Sequence, residues 1–295
     1  MTAPAVVWLR NDLRIADNPA LSAAGASKRP LILVYILDDE TPGQWRIGGA
    51  SRWWLHHSLE ALARDVRKEG APLTLRRGRA DSVLLDLVRE TGAGAVFWNR
   101  CYEPHAVARD KALKEALSGQ GVEAVSCSGA LMNEPWMVKT KSGEPFKVFT
   151  PFWRACLQLE TRATFTVPKR LEGWPDALAS DTLSDWGLLP TRPNWAKHFS
   201  AAWMPGEKGA HGALTAFIED RLLDYAEGRD QLSIDGTSRL SPHLHFGEIS
   251  PVQVRRAIEA AAMHEPALQR GADKFLRDAH DLGGLREVEV WRAAR

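Results

Sequence analysis

Short apolar runs rich in β-branched and aromatic residues recur along the first 130 residues, each followed by a stretch with helical spacing, and this alternation constrains the fold more than any other feature. Ala5–Leu9 (AVVWL) and Leu31–Leu37 (LILVYIL) are continuous and apolar, as strands buried on both faces must be. Leu73–Leu75, Ala95–Trp98 (AVFW) and Glu123–Cys127 are expected as further strands. Between them the spacing predicts helices over Asn18–Ala24, Ser51–Lys68, Ser82–Thr91 and Glu103–Leu117. The second is the clearest: Trp54, Leu55, Ser58, Leu59, Leu62 and Val66 fall at three- and four-residue intervals. Strands alternating with helices predict an α/β domain over 1–130 whose parallel sheet is covered on both faces, with ligands at the carboxyl ends of its strands.

The remainder reads differently. Over 131–210 Pro, Gly and Trp are frequent and periodicity is weak, which predicts an interdomain linker carrying one short helix near Phe152–Gln158 and pinned by its tryptophans. From 211 onward the pattern is helical. Leu214, Phe217, Ile218, Leu222 and Tyr225 are expected on one helix face, and Val254, Ala257, Ile258 and Ala261 on another. Ser241-Pro242 and Ser250-Pro251 each pair a good N-cap with proline at the first helical position.

Composition excludes several classes. Hydrophobic residues at 44% and charged residues at 25% are those of a globular chain, not a disordered or collagen-like one. No run approaches the roughly 18 apolar residues of a membrane span, and the first residues lack the charge order of a signal peptide. Cys101, Cys127 and Cys156 are odd in number and far apart, so neither a disulfide framework nor a CxxC metal site is expected, and a reducing cytoplasm is the natural setting. A net charge of +1 advertises no nucleic-acid partner, so such binding would need a local basic patch. No GxGxxG or GxxxxGK[ST] follows any predicted strand.

Chemistry concentrates at Gly236-Thr237-Ser238-Arg239-Leu240-Ser241-Pro242, where three hydroxyls and a guanidinium meet a helix entrance. Free N–H groups and hydroxyl donors there suit a phosphate, so one reading is an anion or diphosphate cradle; the other is a plain capped turn with Arg239 in a solvent ion pair. His243 and His245, two apart, fit no usual zinc spacing, and no metal site is expected. Arg10, Asp12 and Arg14, after the first strand, read as an internal charge network, and Tyr225 as a packing residue.

Four segments carry a resemblance: WLRNDLRIADNPAL (Trp8–Leu21), GGASRWWLHHSL (Gly48–Leu59), EPWMVKTKSGEPFKVFTPFWRA (Glu134–Ala155) and DGTSRLSPHLHFGEISP (Asp235–Pro251). In order and spacing they resemble the DNA photolyase/cryptochrome family, over residues 4–277 and most of all its bacterial class I cyclobutane-dimer photolyases. The resemblance implies a Rossmann-like α/β antenna domain, a linker and an all-α FAD-binding domain, incomplete here and starting at 211. It implies that Thr237, Ser238, Arg239, Leu240 and Ser241 cradle the FAD diphosphate and that Tyr225 also contacts the flavin. The implied activity is light-driven repair of pyrimidine dimers in UV-damaged DNA by a carbon–carbon lyase acting as a monomer. A cryptochrome-like blue-light sensor and a non-catalytic remnant are the alternatives.

The chain departs from the family after Lys274-Phe275-Leu276-Arg277. Asp278 can fill an acidic, lesion-side position one methylene short, whereas Asp281 and Leu282 stand where Trp and Arg belong. The rest of the helical domain, with its Trp electron chain, is not expected in this sequence, and Trp291 is not assigned to that chain. The expectation is therefore a truncated or frameshifted product, or a fragment, that binds FAD weakly or not at all and repairs poorly. For an antenna chromophore, folate or deazaflavin, the family's folate binders use an Asn-Glu pair where this chain has His105-Ala106, a departure from the folate pattern.

Overall fold

A computed structural model describes residues 2–166 and 170–279. Asp281, Leu282 and Trp291 lie outside the described residues. The described residues form two compact units, the first from 2–130, 165–166, 170–210 and 245–249, the second from 131–164, 211–244 and 250–279. The stretch expected as a linker is thus shared between them.

In the first unit, β1 (Ala5–Leu9), β2 (Leu31–Leu37), β3 (Leu73–Arg77), β4 (Ala95–Asn99) and β5 (Glu123–Cys127) form one parallel sheet in the order β3-β2-β1-β4-β5. Register places Val7 beside Leu33 and Phe97, so alternate residues of the central strands feed opposite faces. One face collects Val7, Leu9, Leu33 and Phe97 over Trp54, Leu55, Leu59 and Leu62. The other packs Val6, Trp8, Val34 and Trp98 against Leu84, Leu87, Leu113 and Leu117. Those helical residues come from α2 (Gly49–Lys68), α3 (Ala80–Thr91) and α4 (Pro104–Gly119). Both-face burial is why the strands read as unbroken apolar runs. The remaining helix of this layer, α1 (Pro19–Ala26), starts where Asn18 caps the Leu21 N–H and Pro19 needs no partner of its own.

The carboxyl ends of β1 and β4 are filled by side chains binding one another. The Asn99 amide donates to Asp12 (2.6 Å) and Asn18 (2.8 Å), and Arg10 donates to Asp110 and to the Asn99 carbonyl. Arg14, 1% exposed, donates to the carbonyls of Asp17, Gly129 and Gly247, each at 2.9 Å. The expected internal charge network is therefore present. Segment 245–249 closes this unit: Leu13 N–H donates to the Phe246 carbonyl (3.0 Å), and Glu248 is fully buried. Trp186 packs on Tyr35 and Trp203 on Trp54, so tryptophans do fasten 165–210 to the first unit.

The second unit is helical. Phe152 and Cys156 of α5 (Phe149–Cys156) and Val138 form a small core. The four-residue helix α6 (Phe199–Ala202) belongs to the first unit; α7 (Glu207–Asp220) starts in its last residues and continues into the second, followed by α8 (Tyr225–Gly228), α9 (Ser241–His245), α10 (Pro251–His264) and a helix α11 over 269–279. The single helix face expected from Leu214 to Tyr225 is corrected: α7 stops at Asp220, because the N–H groups of Arg221 and Leu222 both turn back to the Phe217 carbonyl (3.1 and 2.9 Å). On α10 the Ser250 capping box is complete, and the buried face centres on Val254, Arg255, Ile258 and Ala262, with Ala257 and Ala261 at its half-buried edge. Among the described residues no helix is long and apolar enough to cross a membrane.

Candidate cofactor site

The second unit holds every residue singled out for flavin binding, in two groups. Tyr225 opens α8, nearly buried, inside an aromatic triangle with Phe217 (5.4 Å between centroids, 87°) and Phe275 (5.4 Å, 81°). Its hydroxyl points to the Asp278 carboxylate at 3.5 Å, and the same carboxylate accepts from Arg229 Nη1 (2.6 Å) and Lys274 Nζ (3.1 Å). Lys274 and Asp278 lie four apart on α11, one above the other on one face. The site so built is a phenol, a carboxylate and two cations on an apolar floor.

Burial first, and then the negative charge of Asp278, push the Tyr225 phenol up to about 12. Because the native state holds this proton more tightly than the unfolded chain does, the stability it contributes is whole below the free-tyrosine value of about 10 and is lost as pH rises through the folded value. A titration of phenolate absorbance should show one tyrosine ionising at about pH 12 that disappears in Tyr225→Phe. Ionisation of Tyr225 at the ordinary tyrosine value would sink this account of its surroundings.

The second group is the loop from Asp235 to Ser241. A Cβ on Gly236 would stand 2.6 Å from the Gly228 carbonyl oxygen, so only glycine lets the loop pass the end of α8. Arg221 donates to the Thr237 carbonyl (3.0 Å) and lies 3.8 Å from Asp235, whose carboxylate is also 3.7 Å from Arg239. Arg239 has φ +56°, a left-handed conformation that costs a non-glycine residue about 1 kcal/mol. Leu240 is buried, Thr237 and Ser241 are exposed, and Ser238 and Arg239 are half-buried. Leu240 therefore anchors the loop while Thr237 and Ser241 lie at the surface, and the Ser238 hydroxyl oxygen accepts from the Leu240 N–H (3.4 Å).

Both earlier readings of this loop are visible in it. The exposed Arg239–Asp235 ion pair that a capped turn predicts is present. So is the donor set a diphosphate needs: three hydroxyls and two guanidinium groups, Arg221 being a member the sequence did not disclose. The residues fit the implied diphosphate, with Asp235 as the one group that opposes it. His243 is buried and His245 exposed, which separates them as ligands. A cavity of about 1010 Å³ in this unit, bordered by Trp153, Ala226, Arg255, Met263, Lys274 and Arg277, does not include Tyr225 or the loop residues in its lining.

The family model described as DNA photolyase matches residues 5–170. The deoxyribodipyrimidine photo-lyase of Agrobacterium fabrum is 45% identical over 99% of this chain, and the chain covers 58% of that protein. Cryptochrome-2 of Arabidopsis thaliana is 36% identical over 97% of the chain, which covers 48% of it. The crystal structure of a class III photolyase from Agrobacterium tumefaciens superposes with a TM-score of 0.90 at 44% identity, over 98% of this chain and 59% of that one. That relative is of class III, where the motifs resembled class I. The chain thus spans a little over half the length of the photolyase relatives it matches.

Proposed function

The chain belongs to the DNA photolyase family, and on that premise we propose that it serves light-driven, FAD-dependent splitting of pyrimidine dimers in UV-damaged DNA. The observation that carries this reading is the 237–241 loop, whose hydroxyls and neighbouring guanidinium groups suit a diphosphate. Thr237, Ser238 and Ser241 donate to phosphate oxygens through their hydroxyls, and Arg239 and Arg221 set positive charge against them. Tyr225 keeps its phenol neutral, and Asp278 stays aligned by Arg229 and Lys274 at the acidic, lesion-side position. Bound FAD would supply the photoexcited electron that opens the dimer, and position and electrostatics fall to the protein. Extruding the damaged bases costs a few kcal/mol and is cheapest where pairing is already poor, which favours lesions over intact DNA.

Affinity for FAD is weak in this proposal, because Thr237 and Ser241 are exposed and the Asp235 carboxylate stands among the cations. The antenna chromophore in this proposal is a folate or a deazaflavin; at the start of α4, Ala106 is 3% exposed and offers no polar side chain to a folate. The functional unit is a monomer. The 36% identity to a plant cryptochrome supports a second reading, a blue-light flavoprotein sensor built on the same loop.

Absorption spectroscopy of the purified chain with added FAD tests the cofactor assignment. Expected are structured bands near about 450 nm that bleach under blue light, with Arg239→Ala weakening retention about tenfold through loss of a charge-assisted contact. Retention without dimer splitting would favour the sensor. Absence of retained flavin would overturn the cofactor proposal and leave a non-catalytic member of the family.

A further inference from the structure

In the first unit, α2 carries the run His56-His57-Ser58-Leu59-Glu60. Glu60 is four residues from His56 and three from His57, the spacings at which helical side chains meet. One ligand atom from each of the three residues lies within 4.8 Å of the other two. The His57 Nδ1 to Glu60 Oε2 distance is 3.5 Å. Two ligands of a tetrahedral ion with bonds of about 2.1 Å stand about 3.4 Å apart, so this pair is already at bonding separation. His56 is half-exposed and Glu60 exposed, so an ion can reach both from solvent.

Two further observations point to a ligand. His56 Nδ1 is shielded from solvent and has no hydrogen-bond partner, an exception among shielded polar atoms. The His57 ring is held in place, with Trp53 edge-on at 4.6 Å and His56 at 5.2 Å. A surface ion pair between His57 and Glu60 contributes little and leaves the His56 nitrogen unexplained. Two imidazoles and a carboxylate are a borderline-soft set that suits zinc-type ions and leaves a coordination position for water.

We propose that His56, His57 and Glu60 bind one divalent transition-metal ion of the zinc type. The site's sequence signal is the H-H-x-x-E run within the helical stretch of α2.

Calorimetric titration of the tag-free, chelator-stripped full chain with zinc chloride tests it. One ion per chain, bound at about micromolar Kd, is expected, with Glu60→Gln and His57→Gln each weakening binding at least about tenfold. Glu60 is exposed, so Glu60→Gln decides the matter even if His57→Gln disturbs its contact with Trp53. Absence of saturable binding at submillimolar zinc, or binding that neither variant changes, overturns the proposal; the latter would place the ion at other histidines or cysteines.

Discussion

Replacing Glu248 by alanine should lower the unfolding free energy by about 3–5 kcal/mol, because it strands three buried donors at once. The carboxylate is fully buried, and one oxygen, Oε1, accepts from Trp54 Nε1 (3.0 Å), the Gly206 N–H (2.7 Å) and the Ser58 hydroxyl. Those donors belong to α2 and to segment 165–210, so one side chain ties together three separate stretches of the first unit. Each stranded donor costs about 1–3 kcal/mol, and a water admitted to the vacated space recovers part of that. Glu248→Gln separates shape from charge. Its amide oxygen can take the Oε1 position, so only the charge assistance to these bonds goes, a loss of about 1 kcal/mol. Denaturant unfolding followed by tryptophan fluorescence measures both variants. Alanine and glutamine losses of equal size would show that convergence on Oε1 is not what holds the segment.

Glu248 also marks the limit of what the sequence disclosed. The three central strands, β2, β1 and β4, were legible because burial on both faces leaves a local signature, an apolar run, that needs no knowledge of partners, whereas the edge strands β3 (LTLRR) and β5 (EAVSC) were read from their alternation with helices. The cap at Ser250 was legible because its partner is three residues away. Nothing local shows that 245–249 packs with the sheet, since Leu13, Arg14 and Trp54 lie some two hundred positions distant in sequence. The candidate site divides the same way. The hydroxyls and Arg239 are contiguous and were readable, and Tyr225 and Asp278 entered through family resemblance. Arg221, Arg229 and Lys274 give no signal until the chain is folded. The break after Asp220 was hidden for a related reason: LTAFIEDRLLDYAEG is amphipathic throughout, with no glycine or proline where α7 stops.

That break makes the second large prediction. Gly271→Ala should destabilise the second unit by about 3 kcal/mol or more, a cost at the upper end of overpacking, because what it meets is backbone. The Leu222 carbonyl, which accepts the Tyr225 N–H (3.3 Å) in the turn after α7, also faces Gly271 on α11; a Cβ there would lie 1.7 Å from that oxygen and 2.9 Å from its carbon. No side-chain rotation relieves such a contact, so α11 must move off the turn between α7 and α8. The movement would carry Phe275 from the faces of Phe217 and Tyr225, and Asp278 from the Tyr225 hydroxyl and Arg229. Two readouts should therefore change together: unfolding should come at lower denaturant, and the tyrosine held near pH 12 should titrate closer to its free value. The comparison variant is Gly212→Ala, on α7 with open space at its Cβ position; it should leave the phenol where it is and gain helix propensity worth up to about 1 kcal/mol. If Gly271→Ala lowers stability while Tyr225 keeps its high value, the aromatic triangle and the Asp278 cluster do not depend on the seat of α11, and the coupling between packing and site is wrong.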